Sequence, residues 1–338
     1  MDPREASACA RVGLLGNPSD GYGGKAIALG LTNFRARVRL SPADAFELRP
    51  GPSDGLHFDS ARDAADRFAA TGCDDGLRLL RASLRRFAIC WPGFAQLEAD
   101  DPRLRFAMEY ETDIPRQVGL AGSSAIVVAA LRALASWFEV EIAPAELAEL
   151  ALSAELADLG IAAGAMDRVI QAHGGLMCMD LAEPRDAGTY RALDPKLLPP
   201  LFVAWDLHGG ESSGRAHGTL RARWLAGDAE VLEMIEAFRA LVDEGVECLL
   251  RAEHDRFREL MNRNFEMRTR VFDVSDRDRE LVALAALQGG SAKLCGSGGA
   301  VVGMPPPGDP EAGLSELESR YRDAGFGFQR PLAAPAVS

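Results

Sequence analysis

Gly119-Leu120-Ala121-Gly122-Ser123-Ser124-Ala125 is the stretch on which the fold turns. It opens an apolar segment, Ala125 to Phe138, whose length and composition predict a buried helix. Glycines let a backbone approach an anion closely. A helix start offers unpaired N–H donors at the positive end of its dipole. Ser123 and Ser124 are placed to reach a phosphate or a metal ion beside it. Serine and glycine here serve an ordinary N-cap with a tight turn equally well, and the segment alone leaves both readings open.

Upstream, Leu104 to Tyr110 alternates as a strand, and Pro115 closes it. Arg11 to Leu15 reads as a short strand before a loop dense in turn formers, Gly16 to Gly24, and Ala26 to Leu40 returns as strand. Residues 41–60 read as loop, with helical patches at 62–70 and 77–89. Downstream, Pro144 suits the first turn of a helix that runs through Glu155 and stops at Gly160. A third helix spans Ala163 to Ala172 and ends at Gly174-Gly175, and Leu176 to Met179 is a buried strand. Four prolines make residues 181–200 the natural boundary. Beyond it come a strand at Leu201 to Trp205, helices near 228–251, 253–271 and 276–288, a strand at Ala300 to Met304 and a helix at Glu311 to Ala324. Pro331 to Ser338 reads as a frayed tail. Strands mixed with helices in both halves predict α+β architecture.

A chain of 338 residues fits two domains. Its 47% apolar and 26% charged residues are ordinary for a globular protein. The net charge of −13 and the lack of any basic run argue against a nucleic-acid partner. An acidic chain still binds phosphate where backbone N–H groups converge. The six cysteines are scattered without C-x-x-C pairs, so reduced thiols in a cytoplasmic protein are expected. The charged start MDPREASACARVG lacks the apolar core of a signal peptide, and no run of 18 apolar residues predicts a membrane span.

Several phosphate and nucleotide motifs are excluded. Gly16 and Gly21 have the Walker spacing, but Tyr22 and Gly23 stand where Lys and Ser/Thr are required. Gly296-Ser297-Gly298-Gly299 lacks the dinucleotide spacing. The protein-kinase H-R-D and D-F-G runs are absent.

Three glycine-rich segments far apart in sequence ask for one explanation. RVGLLGNPSDGYGG (Arg11–Gly24), IPRQVGLAGSSA (Ile114–Ala125) and KLCGSGGAVV (Lys293–Val302) resemble the three signature motifs of the GHMP kinases, in order and spacing over nearly the whole chain. NPSDGYGGK, GLAGSSAIV and MNRNFEMRTRVF (Met261–Phe272) are most similar to the plant-type glucuronokinase branch. The resemblance implies a two-domain fold: a ribosomal-S5-type N-terminal domain over 1–190 and a ferredoxin-like C-terminal domain over 195–330, with the site between them. It implies ATP and Mg²⁺ as cofactors, a sugar acid such as glucuronate as acceptor, and a monomer or homodimer. It leaves another sugar, a mevalonate-like alcohol or a non-catalytic binder as alternatives.

Roles follow from the same resemblance. Gly119, Leu120, Ala121, Gly122, Ser123 and Ser124 form the ATP phosphate loop, with Ser124 and Glu155 on magnesium, a hard cation that takes oxygen ligands. Asp167 is the catalytic acid, able to orient an acceptor hydroxyl and take its proton, and Arg11 is the cation beside it. Read alone, Asp167 is better taken as a surface helix aspartate, salt-bridged to Arg168 or nearby. Asn17, Asp20, Tyr22, Lys25, Gly296, Ser297 and Gly298 are assigned to the substrate. The Glu-His pair of galactokinases is replaced by Asn17-Pro18, which disfavours galactose. A carboxylate on the acceptor calls for a cation. Lys25, Arg116, Arg263 and Arg268 are the candidates, and the sequence does not choose among them.

Overall fold

Strand β1 (Arg4–Leu15) pairs antiparallel with the 18-residue strand β2 (Lys25–Pro42), and from Ala10 onward every residue of β1 is buried. Burial without alternation means cover on both faces of the sheet. Here α2 (Gly122–Trp137) and α4 (Met166–His173) pack on this pair, as do α6 (Ala229–Leu250) and α7 (His254–Thr269) from the second half of the chain. The computed structural model describes residues 2–49, 76–98, 100–161, 164–182, 190–209 and 214–336. The helix expected at 62–70 lies outside them.

The other edge of β2 is shared. Its Ala36–Pro42 end pairs with β4 (Phe106–Thr112), and its Lys25–Leu29 end with β5 (Leu176–Asp180). The short β3 (Glu47–Leu48) adds to β4 in parallel, and β6 (Tyr190–Leu193), inside the proline-rich stretch, adds to β5. Helices α1 (Gly76–Cys90) and α3 (Pro144–Ser153) pack against α2, a helix so apolar that twelve of its sixteen residues are buried.

The second sheet holds β7 (Phe202–Asp206), β8 (Ser291–Leu294), β9 (Ala300–Met304) and β10 (Phe326–Gln329), all antiparallel in the order β10-β7-β9-β8. With helices between β7 and β8 and between β9 and β10, this is the expected ferredoxin-like arrangement. Its strands alternate between two cores. Phe202 and Ala204 face α8 (Asp276–Ala286) and α9 (Pro310–Asp323) in a cluster with Leu281, Tyr321 and Phe328. Val203 and Trp205 join the large core that also holds Val12, Ile27 and Phe238.

Several elements differ from expectation. β1 begins at Arg4 rather than Arg11 because Arg4–Cys9 pair with β2, a start that Ala6, Ala8 and Ala10 are too small to mark in sequence. α5 (Gly214–Leu225), β8 and β10 add to the elements that the sequence predicts. The expected frayed tail is instead docked: Thr32 N donates to Leu332 O at 2.8 Å, Ala334 N donates to Gly30 O at 2.8 Å, and Ala334 is buried. A short, weakly apolar tail shows no such partner until the sheet edge it meets exists. No helix among the described residues is long and apolar enough to cross a membrane.

Candidate active site

The fold brings the three glycine-rich segments into backbone contact. Arg11 N donates to Leu120 O at 3.2 Å and Gly13 N to Cys295 O at 2.9 Å, so the end of β1 lies between the other two. A Cβ on Gly296 would stand 2.5 Å from Gly119 O, and one on Gly119, which sits at φ +71°, would stand 2.7 Å from Gly298 O. Neither position has room for a side chain. The three segments border a cleft of about 600 Å³, a volume suited to a small-molecule ligand.

Helix α2 opens on this cleft. Its N-cap, Ala121, is left-handed at φ 63°, and no side chain among the described residues caps the helix. The N-cap reading of the serines therefore does not hold here. Ser124 is buried and Ser123 exposed, both on the cleft wall, and the first-turn N–H groups are left for an anion.

One arginine joins this loop to the acid. Arg11, buried at 4% exposure, donates through Nε to Asp167 Oδ1 at 2.6 Å and through Nη1 to Gly119 O at 2.5 Å. Burial works against the guanidinium, but the Asp167 carboxylate more than offsets it and holds the Arg11 pKa above its usual value. Asp20 also lines the cleft; burial and then the charge of Asp167 push its carboxyl up to about 6.

Glu155 lies in a π-turn, Ala154–Asp158, that continues α3. Such bulges recur at functional sites because the extra residue re-aims a side chain. Its carboxylate is 1% exposed. Oε2 is ion-paired with Arg168, while Oε1 has no hydrogen-bond partner among the described residues. Arg168 also donates to Gly164 O at 2.6 Å and lies 3.6 Å from Asp167 Oδ2. Burial, with Arg11 nearby, pulls its pKa down to about 9.

The remaining sequence candidates divide. Tyr22, Asn17, Gly296 and Ser297 line the cleft, whereas Gly298 and Lys25 are not on its wall. Lys25 is paired with Asp243 at 2.7 Å and Asp180 at 3.8 Å, and the structure does not bring it to the site. Both ends of the Asn17 amide are engaged inside the protein, Nδ2 donating to Leu294 O and Oδ1 accepting from Lys293. Arg268, considered for a substrate carboxylate, clamps motif three by donating to Gly296 O at 2.7 Å and Ser297 O at 2.8 Å. Arg263 is absent from the cleft wall, and Arg116 is on it.

Sequence reasoning missed Lys293 and Asn264. Lys293 is 1% exposed and donates to Gly13 O, Asn17 Oδ1 and Leu294 O, tying motif one to motif three. Asn264 repeats this from α7, accepting from Gly16 N at 2.7 Å and donating to Asn17 O at 3.0 Å. The available signal was a lysine within the otherwise small and apolar Ser291–Leu294, where a charge needs a buried partner.

Comparison with known proteins places the chain in a family. Residues 87–175 match the family described as GHMP kinases N terminal domain. The chain is 38% identical over 342 residues to Glucuronokinase 1 of Arabidopsis thaliana, covering 97% of this chain and 91% of that one. Among solved structures, a mevalonate kinase superposes with a TM-score of 0.72 at 16% identity, covering 98% of this chain and 99% of that one. The galactose complex of Lactococcus lactis galactokinase gives 0.71 at 14%, covering 100% and 95%. At these identities the two structures share the fold.

Proposed function

The chain belongs to the GHMP kinases, phosphotransferases with an alcohol group as acceptor, and on that footing we propose that it transfers the γ-phosphoryl group of ATP to the anomeric hydroxyl of a sugar acid, converting glucuronate to glucuronate 1-phosphate. The similarity to Glucuronokinase 1 supports the acceptor. The observation that carries the mechanism is the bridge made by Arg11, which holds Asp167 Oδ1 at 2.6 Å and the Gly119 carbonyl at 2.5 Å, fixing the acid relative to the phosphate loop.

In this mechanism the uncapped start of α2 binds the phosphates through backbone N–H groups, with Ser123 at the loop's exposed edge. Asp167, oriented by Arg11, accepts a hydrogen bond from the acceptor hydroxyl and takes its proton as the phosphoryl group moves. Asp20 holds a sugar hydroxyl. Arg268, by fixing the Gly296 and Ser297 carbonyls, closes the cleft from the second sheet. Positioning and electrostatics provide most of the barrier reduction in such a reaction.

Ser124 and Glu155 fit a magnesium ion: a buried carboxylate oxygen lacking a hydrogen-bond partner and a buried hydroxyl on the same cleft make an all-oxygen donor set. When bound, magnesium would neutralise charge on the phosphates. We assign 1–190 and 195–330 to the two domains and the enzyme to the cytoplasm, a reading its free cysteines suit.

The test is ADP release with ATP and magnesium against glucuronate, galacturonate, glucose, galactose, mevalonate and homoserine. We expect glucuronate to give the highest kcat/KM. A preference for mevalonate or a neutral hexose would overturn the acceptor while keeping the kinase. ATP binding without turnover on any of the six would overturn this sugar-acid kinase reading.

A further inference from the structure

A uronic acid carries its carboxylate on C5, the ring carbon that flanks the ring oxygen together with the anomeric carbon. The cation that reads the carboxylate must stand on the cleft wall that Asp167 shares, with its charge uncommitted. Most cleft arginines fail one of these conditions. Arg11 and Arg168 abut Asp167 and are spent on carboxylates. Arg268 is spent on two carbonyls. Arg78 and Arg116 already carry contacts of their own.

Arg221 meets both conditions. It lies on α5, is exposed on the cleft wall, and has no ion pair among the described residues. Its position is built. Leu220 packs in a cluster with Tyr22, Val231, Ile235 and Phe272, and Trp224 sets its ring edge-on to Tyr22 at 5.9 Å. One turn of α5 is thus pinned to motif one, and Arg221 stands within that turn. The neighbourhood is continuous: Asp20 feels the charge of Asp167, Tyr22 that of Asp20, and Tyr22 also that of Arg221.

We propose that Arg221 binds the acceptor's carboxylate and selects a uronic acid over the neutral hexose. The assignment rests on the sugar-acid reading above. A planar guanidinium can meet a carboxylate through two parallel N–H bonds, which a neutral hydroxymethyl group cannot return.

The experiment measures kcat and KM for glucuronate and for glucose in wild type, Arg221→Gln and Arg221→Lys, with KM for ATP and the thermal midpoint alongside. Arg221→Gln should raise the glucuronate KM about 30- to 100-fold, move kcat far less, and leave glucose and ATP unchanged. Arg221→Lys should recover part of the loss. An unchanged glucuronate KM in Arg221→Gln, with wild type preferring glucuronate, overturns the role of Arg221 alone. Equal loss on glucuronate and glucose would mark a merely structural role and also overturn it. Wild type that does not prefer a uronate overturns the underlying reading, before any variant is made.

Discussion

Replacing Lys293 with Met tests the buried clasp between motifs one and three. The ammonium is 1% exposed and meets three oxygens, including Gly13 O at 2.6 Å and Leu294 O at 2.8 Å. Burial, then the nearby Arg268 and Arg11, pulls its pKa from 10.5 down to about 7. That gap is worth at most about 5 kcal/mol against the charged form in the fold. The three oxygens match the three N–H bonds of an ammonium and recover part of it. The sign follows from proton counting. Between pH 7 and 10.5 the unfolded chain holds a proton that the folded chain has released, so stability rises with pH across this window, by at most about 1.4 kcal/mol per pH unit, and is flat below it. Met fills the same space without titrating, but leaves Gly13 O and Asn17 Oδ1 without their lysine donor, at about 1–3 kcal/mol each. Urea unfolding of both proteins at pH 6.5, 7, 8 and 9 should show wild type gaining about 1–3 kcal/mol on Lys293→Met between pH 7 and 9. Parallel stability curves would refute a depressed Lys293, leaving a clasp charged at every pH tested.

Asp167→Asn should lower kcat about 10²- to 10⁴-fold with ATP affinity nearly unchanged, read by steady-state ADP release and nucleotide titration; full turnover would sink its role as base. Gly296→Ala places a Cβ 2.5 Å from Gly119 O, so the two motifs must part. A loss of about 1–3 kcal/mol in stability and about 100-fold in kcat/KM is expected, from unfolding and kinetics on the same preparation. Deleting 331–338 removes the two backbone hydrogen bonds to β2 and uncovers Gly30, and should cost about 1–3 kcal/mol. An unshifted thermal midpoint would mean that the tail adds nothing to the fold.

The parts of this protein whose signal is local can be read before any folding is considered. Glycine spacing in three segments, the apolar run behind Gly122, and the helices around Pro144 and Asp228 all reflect backbone demands that neighbours in sequence express. The ferredoxin-like sheet and the identity of Arg11, Asp167, Ser124 and Glu155 as cleft residues were also legible, through ordered motifs rather than through periodicity.

Tertiary structure alone decided which charges are committed and to whom. Lys25 reads as a substrate cation until Asp243, 218 positions away, takes it. Arg268 reads likewise until it closes on two carbonyls of motif three. Arg221 carries no signal at all until Leu220 and Trp224 seat its helix on Tyr22. A buried charge is stabilised only by partners brought to it in space, and a free one is defined by their absence. That ledger cannot be written before the chain has folded.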